Sequence, residues 1–469
     1  MDISKLTIAS ARASLDAKEF SAVELTDAYL GEIKNKDGDI HAYVETWEES
    51  ARAEAKQADE VIAKGETKPL TGIPLAMKDN ILIQDRVASS GSKILENYRA
   101  IYDSTVTEKL KSQNAVFLGR ANMDEFAMGS STETSYFGTT KNPRDLTRVP
   151  GGSSGGPAAA VAGDLALASL GSDTGGSIRQ PAALTGIVGL KPTYGTVSRF
   201  GLMALASSLD QIGPFTKTVA DARILFDAIR GHDENDSTSL PDIQQNTQKP
   251  KKIGVPRAFL AKGCDPDVLE HFETTLARLK SSGYEIVDID LPNVPHSLAV
   301  YYVIQPAEAS TNLARYDGVR YGLSVPADSI GEAYAKTRGA GFGREVRRRI
   351  LIGTFVLSSG YADAYYRKAK QVREMIRADF SNAFAQVDAI ATPTTPSPAF
   401  TFGSKSDPLA MYAEDIFTVP INLAGVPGIS VPMGNVTRDG SVLPTGFQII
   451  APHRGEETLF TIGEDIEKA

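Results

Sequence analysis

A single cysteine, Cys264, stands in 469 residues, so no internal disulfide can form. A reducing compartment, or indifference to redox state, follows from that scarcity, and Cys264 itself reads as a small, partly buried side chain. Histidine is nearly as sparse. His41, His232, His271, His296 and His453 are all there are. None stands in a Gly-x-Ser-x-Gly or His-Glu-x-x-His setting, which leaves no Ser–His–Asp triad and no zinc-hydrolase helix, and no metal-ligand spacing is visible. Long apolar runs are missing too. The stretch 158–168 comes closest and Asp164 interrupts it, so no membrane span is expected. The N-terminal Met1-Asp2-Ile3-Ser4-Lys5 shows no basic region followed by an apolar run, so no signal peptide is expected and the cytoplasm is the default location. Basic charge is in deficit. A net charge of −9 excludes a chain-wide, non-specific grip on nucleic acid.

What is present is ordinary globular material, 42% hydrophobic and 23% charged, in a chain long enough to bury a large core. The first 65 residues read as a helical segment packed on the rest. Ser21-Ala22-Val23-Glu24 is a capping box, Asp37-Gly38 is expected to break the helix that follows, and a second helix is expected from Trp47 to a stop at Gly65. From Leu70 the texture changes. Short apolar runs at 73–76, 115–118, 187–190 and 389–392 look like buried strands, with helical stretches such as 218–230 between several of them. That alternation is an α/β signature. Residues 231–252 are polar and unpatterned and read as a surface loop within one catalytic domain spanning 66–469. Beyond it, strands are expected at 252–255 and 285–290. Between them lies a helix that starts at Asp265-Pro266 and shows an apolar face of Val268, Leu269, Phe272, Leu276 and Leu279.

The chemistry concentrates in two serine-bearing glycine turns, Gly151-Gly152-Ser153-Ser154-Gly155-Gly156 and Gly171-Ser172-Asp173-Thr174-Gly175-Gly176-Ser177. Glycine admits close backbone approach. Two such turns can form one site where a serine attacks a carbonyl, another carries its proton, and backbone N–H groups hold the oxyanion. Such a site needs a base. In Leu75-Ala76-Met77-Lys78-Asp79-Asn80 an apolar run buries Lys78 at a strand end. Burial is what brings a lysine down from the ~10.4 that keeps it protonated. Alone, a lysine beside an aspartate reads as a solvated strand end; the serine turns change that reading. The first turn is not a phosphate loop, because Pro157-Ala158 follow Gly156 where Lys-Ser or Lys-Thr is required. Nor is it a linker. Pro157 is expected at the first position of a helix whose N–H groups face the site and add a positive dipole.

Together these segments, with Ser177-Ile178-Arg179-Gln180-Pro181-Ala182-Ala183, resemble the amidase signature family, and the 24 residues from Ser153 to Ser177 match that family's spacing. The resemblance implies one large mixed β-sheet flanked by helices on both faces. It also implies a Lys–Ser–Ser triad: Lys78 as base, Ser153 as relay with a cis peptide bond, and Ser177 as nucleophile. Thr174, Gly175, Gly176 and Ser177 would form the oxyanion hole, oriented by Asp173 and Arg179.

Further segments are similar to one branch of the family, the glutamine-hydrolysing subunits of tRNA-dependent amidotransferases. They are the run from Asn122-Met123-Asp124-Glu125-Phe126 to Ser135, Arg315-Tyr316-Asp317-Gly318-Val319-Arg320-Tyr321-Gly322, Gly343-Arg344-Glu345-Val346-Arg347-Arg348-Arg349, and Asp407-Pro408-Leu409-Ala410-Met411-Tyr412-Ala413-Glu414-Asp415-Ile416. This likeness implies hydrolysis of L-glutamine in a heterotrimer with subunits B and C. Ammonia would pass to a partner that amidates a charged tRNA and uses ATP and Mg; no cofactor and no metal is expected in this chain. It implies a pocket lined by Met128, Gly129 and Ser130, Arg348 (or its neighbour Arg349) pairing with the α-carboxylate, and Asp415 taking the α-ammonium. Glu125 and Thr174 would lie at the mouth of the ammonia route. Whether the acceptor is glutamyl-tRNA(Gln), aspartyl-tRNA(Asn) or both is not written in this chain. Pro157, and residues 82–91, depart from the family's usual wording. Two rival readings are a stand-alone amidase for another small amide and a non-catalytic scaffold.

Overall fold

In a computed structural model that describes residues 1–241, 249–261 and 263–468, the chain builds around one mixed sheet of eleven strands. They are β1 (Tyr43–Thr46), β2 (Pro74–Lys78), β3 (Val116–Ala121), β4 (Ala168–Asp173), β5 (Val188–Lys191), β6 (Gln211–Thr216), β7 (Lys252–Val255), β8 (Glu285–Asp288), β9 (Ala389–Pro393), β10 (Gly428–Arg438) and β11 (Ser441–Ile450). Their order across the sheet is β1-β3-β2-β4-β6-β5-β10-β11-β9-β7-β8. β2 runs parallel to both β3 and β4, and β7 runs parallel to both β8 and β9. The other pairings are antiparallel. The α/β class read from the sequence is the one observed.

The strands anticipated at 73–76, 115–118, 187–190 and 389–392 form within a few residues of those bounds, as do those at 252–255 and 285–290. β4 and β6 carry no such continuous apolar signature, because Ser169, Gly171, Ser172, Gly213 and Pro214 dilute them, yet every residue of both is buried. The helix expected to break at Asp37-Gly38 runs on from Ala22 to Ile40 and ends on His41 in the left-handed region, with Ser21 and Glu24 closing the capping box. Gly38 stands inside that long helix, where propagation outweighs its modest propensity cost. The second helix, Glu48–Lys64, stops at Gly65 as expected. Between the two helices β1 adds a strand to the first 65 residues, antiparallel to β3. Of the loop expected at 231–252, residues 242–248 lie outside the described residues, and Lys252 already belongs to β7. No helix among the described residues is long and apolar enough to cross a membrane.

What matters for function is that β2 and β4 are parallel neighbours in the sheet, so their carboxyl ends share one edge. In open α/β sheets that edge is where sites form. Lys78 is the last residue of β2, and Asp173, the last of β4, opens the second glycine turn.

Candidate active site

Lys78 has 0% exposure, and every residue of β2 is buried with it. Burial pulls its pKa down to about 7, against the opposing pull of Asp124, Asp173 and Asp210. Its Nζ lies 2.9 Å from Ser153 Oγ, 2.7 Å from Ser154 Oγ, 2.9 Å from Ser172 Oγ and 3.3 Å from the Ser172 carbonyl. A neutral amine has two N–H donors and one lone pair. Ser154 Oγ donates to the Ser172 carbonyl at 3.1 Å, and Ser172 Oγ already accepts from Asn80 Nδ2 at 3.0 Å. Ser154 Oγ, its own proton spent on the Ser172 carbonyl, takes one N–H, and the other N–H and the lone pair are shared between the Ser153 and Ser172 hydroxyls. Ser172 and Ser154 both stand in the quoted turns, but their contact with Lys78 depends on the parallel register of β2 and β4.

The Gly152–Ser153 peptide is cis. Gly152 is required by space: a Cβ there would come within 2.2 Å of Asp124 Oδ2 and 2.6 Å of the Ser131 nitrogen. Asp124, fully buried, accepts from the N–H groups of Ser131, Thr132 and Thr134 and from the Thr134 hydroxyl. The helix after the turn begins at Gly155, not at Pro157, which is its third residue. Its first two N–H groups are not aimed at the site as expected. Gly155 donates to Thr132 Oγ1 and Gly156 to the Asn122 carbonyl.

The second turn is pinned from beneath. Burial alone would raise the Asp173 carboxyl, but the Arg179 guanidinium holds it at about 2. Arg179 is itself 0% exposed and meets Asp173 through Nε at 3.1 Å and Nη2 at 3.0 Å. It also reaches the Thr418 carbonyl, Gln448 Oε1 and Asn422 Oδ1. Gly176 donates its N–H to Asp173 Oδ1 at 2.9 Å, so this member of the expected oxyanion cradle is turned inward. No hydrogen bond among the described residues takes the N–H of Gly175 or Ser177. Thr174 Oγ1 donates to Asp210, a buried carboxylate that burial lifts to about 6. Ser177 keeps 7% exposure above the sealed Lys78 and Ser153. Tyr301 covers the turn, with its ring and hydroxyl within 3.0 Å of where a Gly175 Cβ would stand. Asp210 and Tyr301 escaped the sequence reading, for which no local motif marks them; Asp124 stands in a quoted motif but has no role assigned there.

Beside this centre opens a cavity of about 400 Å³ lined by Glu125, Met128, Gly129, Ser130, Arg348 and Tyr412 among others. Lys78, Ser153 and Ser177 are not in its wall, which reaches toward them at Ser130 and Ser131. Asp415 is not in the wall either. Its carboxylate, which burial pushes up to about 7, accepts from Ser130 Oγ at 2.6 Å. Both candidate arginines stand in the wall but are held differently. Arg349 is committed to packing: its Nε donates to Glu345 and its Nη1 to Gln305, and its guanidinium lies 5.3 Å and 5.4 Å from the ring centres of Tyr302 and Tyr412. Arg348 meets Glu345 and, at 3.0 Å, the Tyr412 hydroxyl, but its buried Nε has no partner among the described residues. Glu125 is buried, lifted to about 7 by that burial, and accepts the Gly343 N–H at 2.9 Å, which caps the helix Arg344–Leu357 that carries both arginines. No cluster of three or more His, Cys, Asp or Glu suited to a metal ion occurs among the described residues.

A buried lysine set against two serine-bearing glycine turns on a mixed sheet defines a class, and residues 24–460 match the amidase family, to which this protein belongs. Within that class, the chain is 51% identical over its whole length to the A subunit of the glutamyl-tRNA(Gln) amidotransferase of Desulfatibacillum aliphaticivorans, covering 98% of that protein. It is 52% identical over 99% of its length to the corresponding glutamyl-tRNA(Gln) amidotransferase protein of Roseiflexus sp., covering 96% of it. Among solved structures, the same glutamyl-tRNA(Gln) amidotransferase component from Thermotoga maritima superposes with a TM-score of 0.82 at 43% identity, covering 100% of this chain and 95% of that one. Peptide amidase from Stenotrophomonas maltophilia superposes with 0.83 at 29% identity, covering 100% and 97%.

Proposed function

We propose that this chain is the glutamine-hydrolysing component of a glutamyl-tRNA(Gln) amidotransferase. The observation that carries the chemistry is a buried lysine, its pKa brought down to about 7, in contact with the serine of a glycine turn. Full-length likeness at about half identity to proteins bearing that name carries the substrate, and favours it over a stand-alone amidase.

Ser177 Oγ attacks the side-chain amide carbon of glutamine. Its proton passes to Ser153 Oγ as the Ser153 proton passes to Lys78 Nζ. The amide oxygen becomes an oxyanion held by the N–H groups of Thr174, Gly175 and Ser177. The C–N bond breaks as the proton returns through Ser153 to the leaving nitrogen, which departs as ammonia. Water then adds to the γ-glutamyl ester by the same relay in reverse, freeing glutamate. Arg348, with its unpaired Nε, binds the α-carboxylate, and Asp415 the α-ammonium after Ser130 yields it. Ammonia leaves past Glu125 or Thr174 to a partner protein, where ATP and Mg activate the acceptor and the charged tRNA is read, in a heterotrimer with subunits B and C in the cytoplasm. The segment 1–65 serves as a cover packed on a catalytic domain, 66–469.

Ammonia release from L-glutamine, with asparagine and a simple aliphatic amide as controls and with or without subunits B and C and charged tRNA, tests the reading. The expected result is strong glutamine preference, stimulation by the partners, and no turnover in Ser177→Ala with its fold retained. Equal turnover of simple amides, or ammonia release by Ser177→Ala, overturns it.

A further inference from the structure

Gln180 is fully buried three residues after Ser177, and both ends of its side chain are spent on structures that the helix Arg179–Thr185 does not itself contain. Its Oε1 accepts the Gly152 N–H at 2.9 Å, and its Nε2 donates to the Ser130 carbonyl at 2.8 Å. The amide can be placed only one way round, because a backbone N–H must face the oxygen and a backbone carbonyl must face the nitrogen. The fit is close. A Cβ on Gly151 would lie 2.4 Å from Gln180 Oε1 and 2.7 Å from the Pro181 Cα.

The two contacts belong to different functions. Gly152 precedes Ser153, whose hydroxyl meets Lys78. Ser130 is the cavity-wall residue whose own hydroxyl is bound by Asp415. The same residue is thereby held by its side chain from the substrate side and by its carbonyl from the nucleophile's helix. We infer that Gln180 is a positioning residue that locks the wall of the substrate pocket, the relay-serine turn and the nucleophile's helix into one register, so that a glutamine seated against Ser130 meets a relay already aligned. The inference rests on the function proposed above and deepens it: selection of the amide substrate is coupled to the proton relay through one side-chain amide.

The two ends can be cut separately. Gln180→Glu keeps an acceptor for the Gly152 N–H and, once ionised, sets a bare oxygen against the Ser130 carbonyl, so its kinetics are read at about pH 9, above the range in which a buried carboxyl holds its proton. Gln180→Met removes both bonds at similar volume. The readouts are KM and kcat for glutamine, and the rate at which a small, pocket-independent sulfonyl fluoride labels Ser177. A buried group left unpaired is worth about tenfold or more in each affected step. Gln180→Glu is expected to raise KM about tenfold with labelling close to the parent rate, and Gln180→Met to raise KM and slow labelling together, again by about tenfold. Unchanged KM in Gln180→Glu overturns the inference, as does a Gln180→Met variant with parent KM and parent labelling. Should Gln180→Met fail to fold, the split between KM and labelling in Gln180→Glu decides alone. Failure of the proposed function is distinguishable, since it appears in the parent chain as absent labelling and absent glutamine turnover before any substitution is made.

Discussion

At the scale of single residues, two groups are poised in the same pH window with opposite demands on burial. In the proposed mechanism Lys78 acts as a base only when neutral and Asp415 binds the α-ammonium only when ionised; burial brings both to about 7. Both must lose a proton as pH rises, so kcat/KM for glutamine is expected to climb through about pH 7 with a limb steeper than one proton, while kcat, measured with Asp415 already covered by substrate, shows a single-proton limb. A pH–rate profile of both parameters checks this, and Asp415→Asn should reduce the kcat/KM limb to one proton. Lys78→Met is expected to cost about a hundred- to ten-thousand-fold in kcat. The folded pKa of Lys78 lies below its unfolded value, so between about 7 and 10.5 the unfolded chain holds the extra proton and stability rises with pH. Melting curves of Lys78→Met across that range should show a shallower rise. It does not vanish, because buried Lys191 is also lowered to about 7 by its burial. The candidate triad was named from the serine turns, the apolar run before Lys78 and the family resemblance, and the structure sets Lys78 against Ser153. Asp124, Asp210, Tyr301 and Gln180 were not singled out as site residues, because only the folded register sets them against the turns.

At the scale of elements, caps and periodic faces could be read and continuity could not. Ser21, Glu24 and Gly65 mark real ends, whereas Asp37-Gly38 marks none, since a glycine inside a long helix is a cost the helix can carry. Nothing lies within 4 Å of a Cβ added at Gly38, and its φ is ordinary. Gly38→Ala should therefore stabilise the protein by about 0.5–1 kcal/mol, seen as a higher denaturant midpoint at unchanged glutamine turnover. β4 went unmarked for the opposite reason: its small polar residues serve the site and the neighbouring strands while remaining buried. Glu125 works on an element too. Removing its carboxylate in Glu125→Ala leaves the Gly343 N–H uncapped at the start of the helix carrying Arg348. The expected outcome is a loss of about 1–2 kcal/mol in denaturation and a raised KM for glutamine.

At the scale of the whole molecule, the sheet is two blocks joined by a hairpin. β1-β3-β2-β4-β6-β5 form one and β9-β7-β8 the other, with β10 and β11 between them. Gln448 sits at that seam. It accepts from Arg179 at 2.7 Å and donates to Thr392 Oγ1 on β9 and to the Phe417 carbonyl. Gln448→Leu should lower stability by about 1–3 kcal/mol and slow turnover together, a joint loss measurable by denaturation and ammonia release. Long-range pairing of this kind leaves no mark in local sequence: the strands at 252–255 and 285–290 could be read one by one, but not their place at the far side of the one sheet. The seam also sets a timetable. Domains form as the chain emerges, amino-terminal parts first, and Lys78, Ser153 and Ser177 are all made before residue 180, yet the arginine beneath the nucleophile's turn waits for partners at 418, 422 and 448. A half-translated chain thus carries all three proposed reacting groups without the contacts that pin Arg179, and is expected to hydrolyse no glutamine until the last strands have paired.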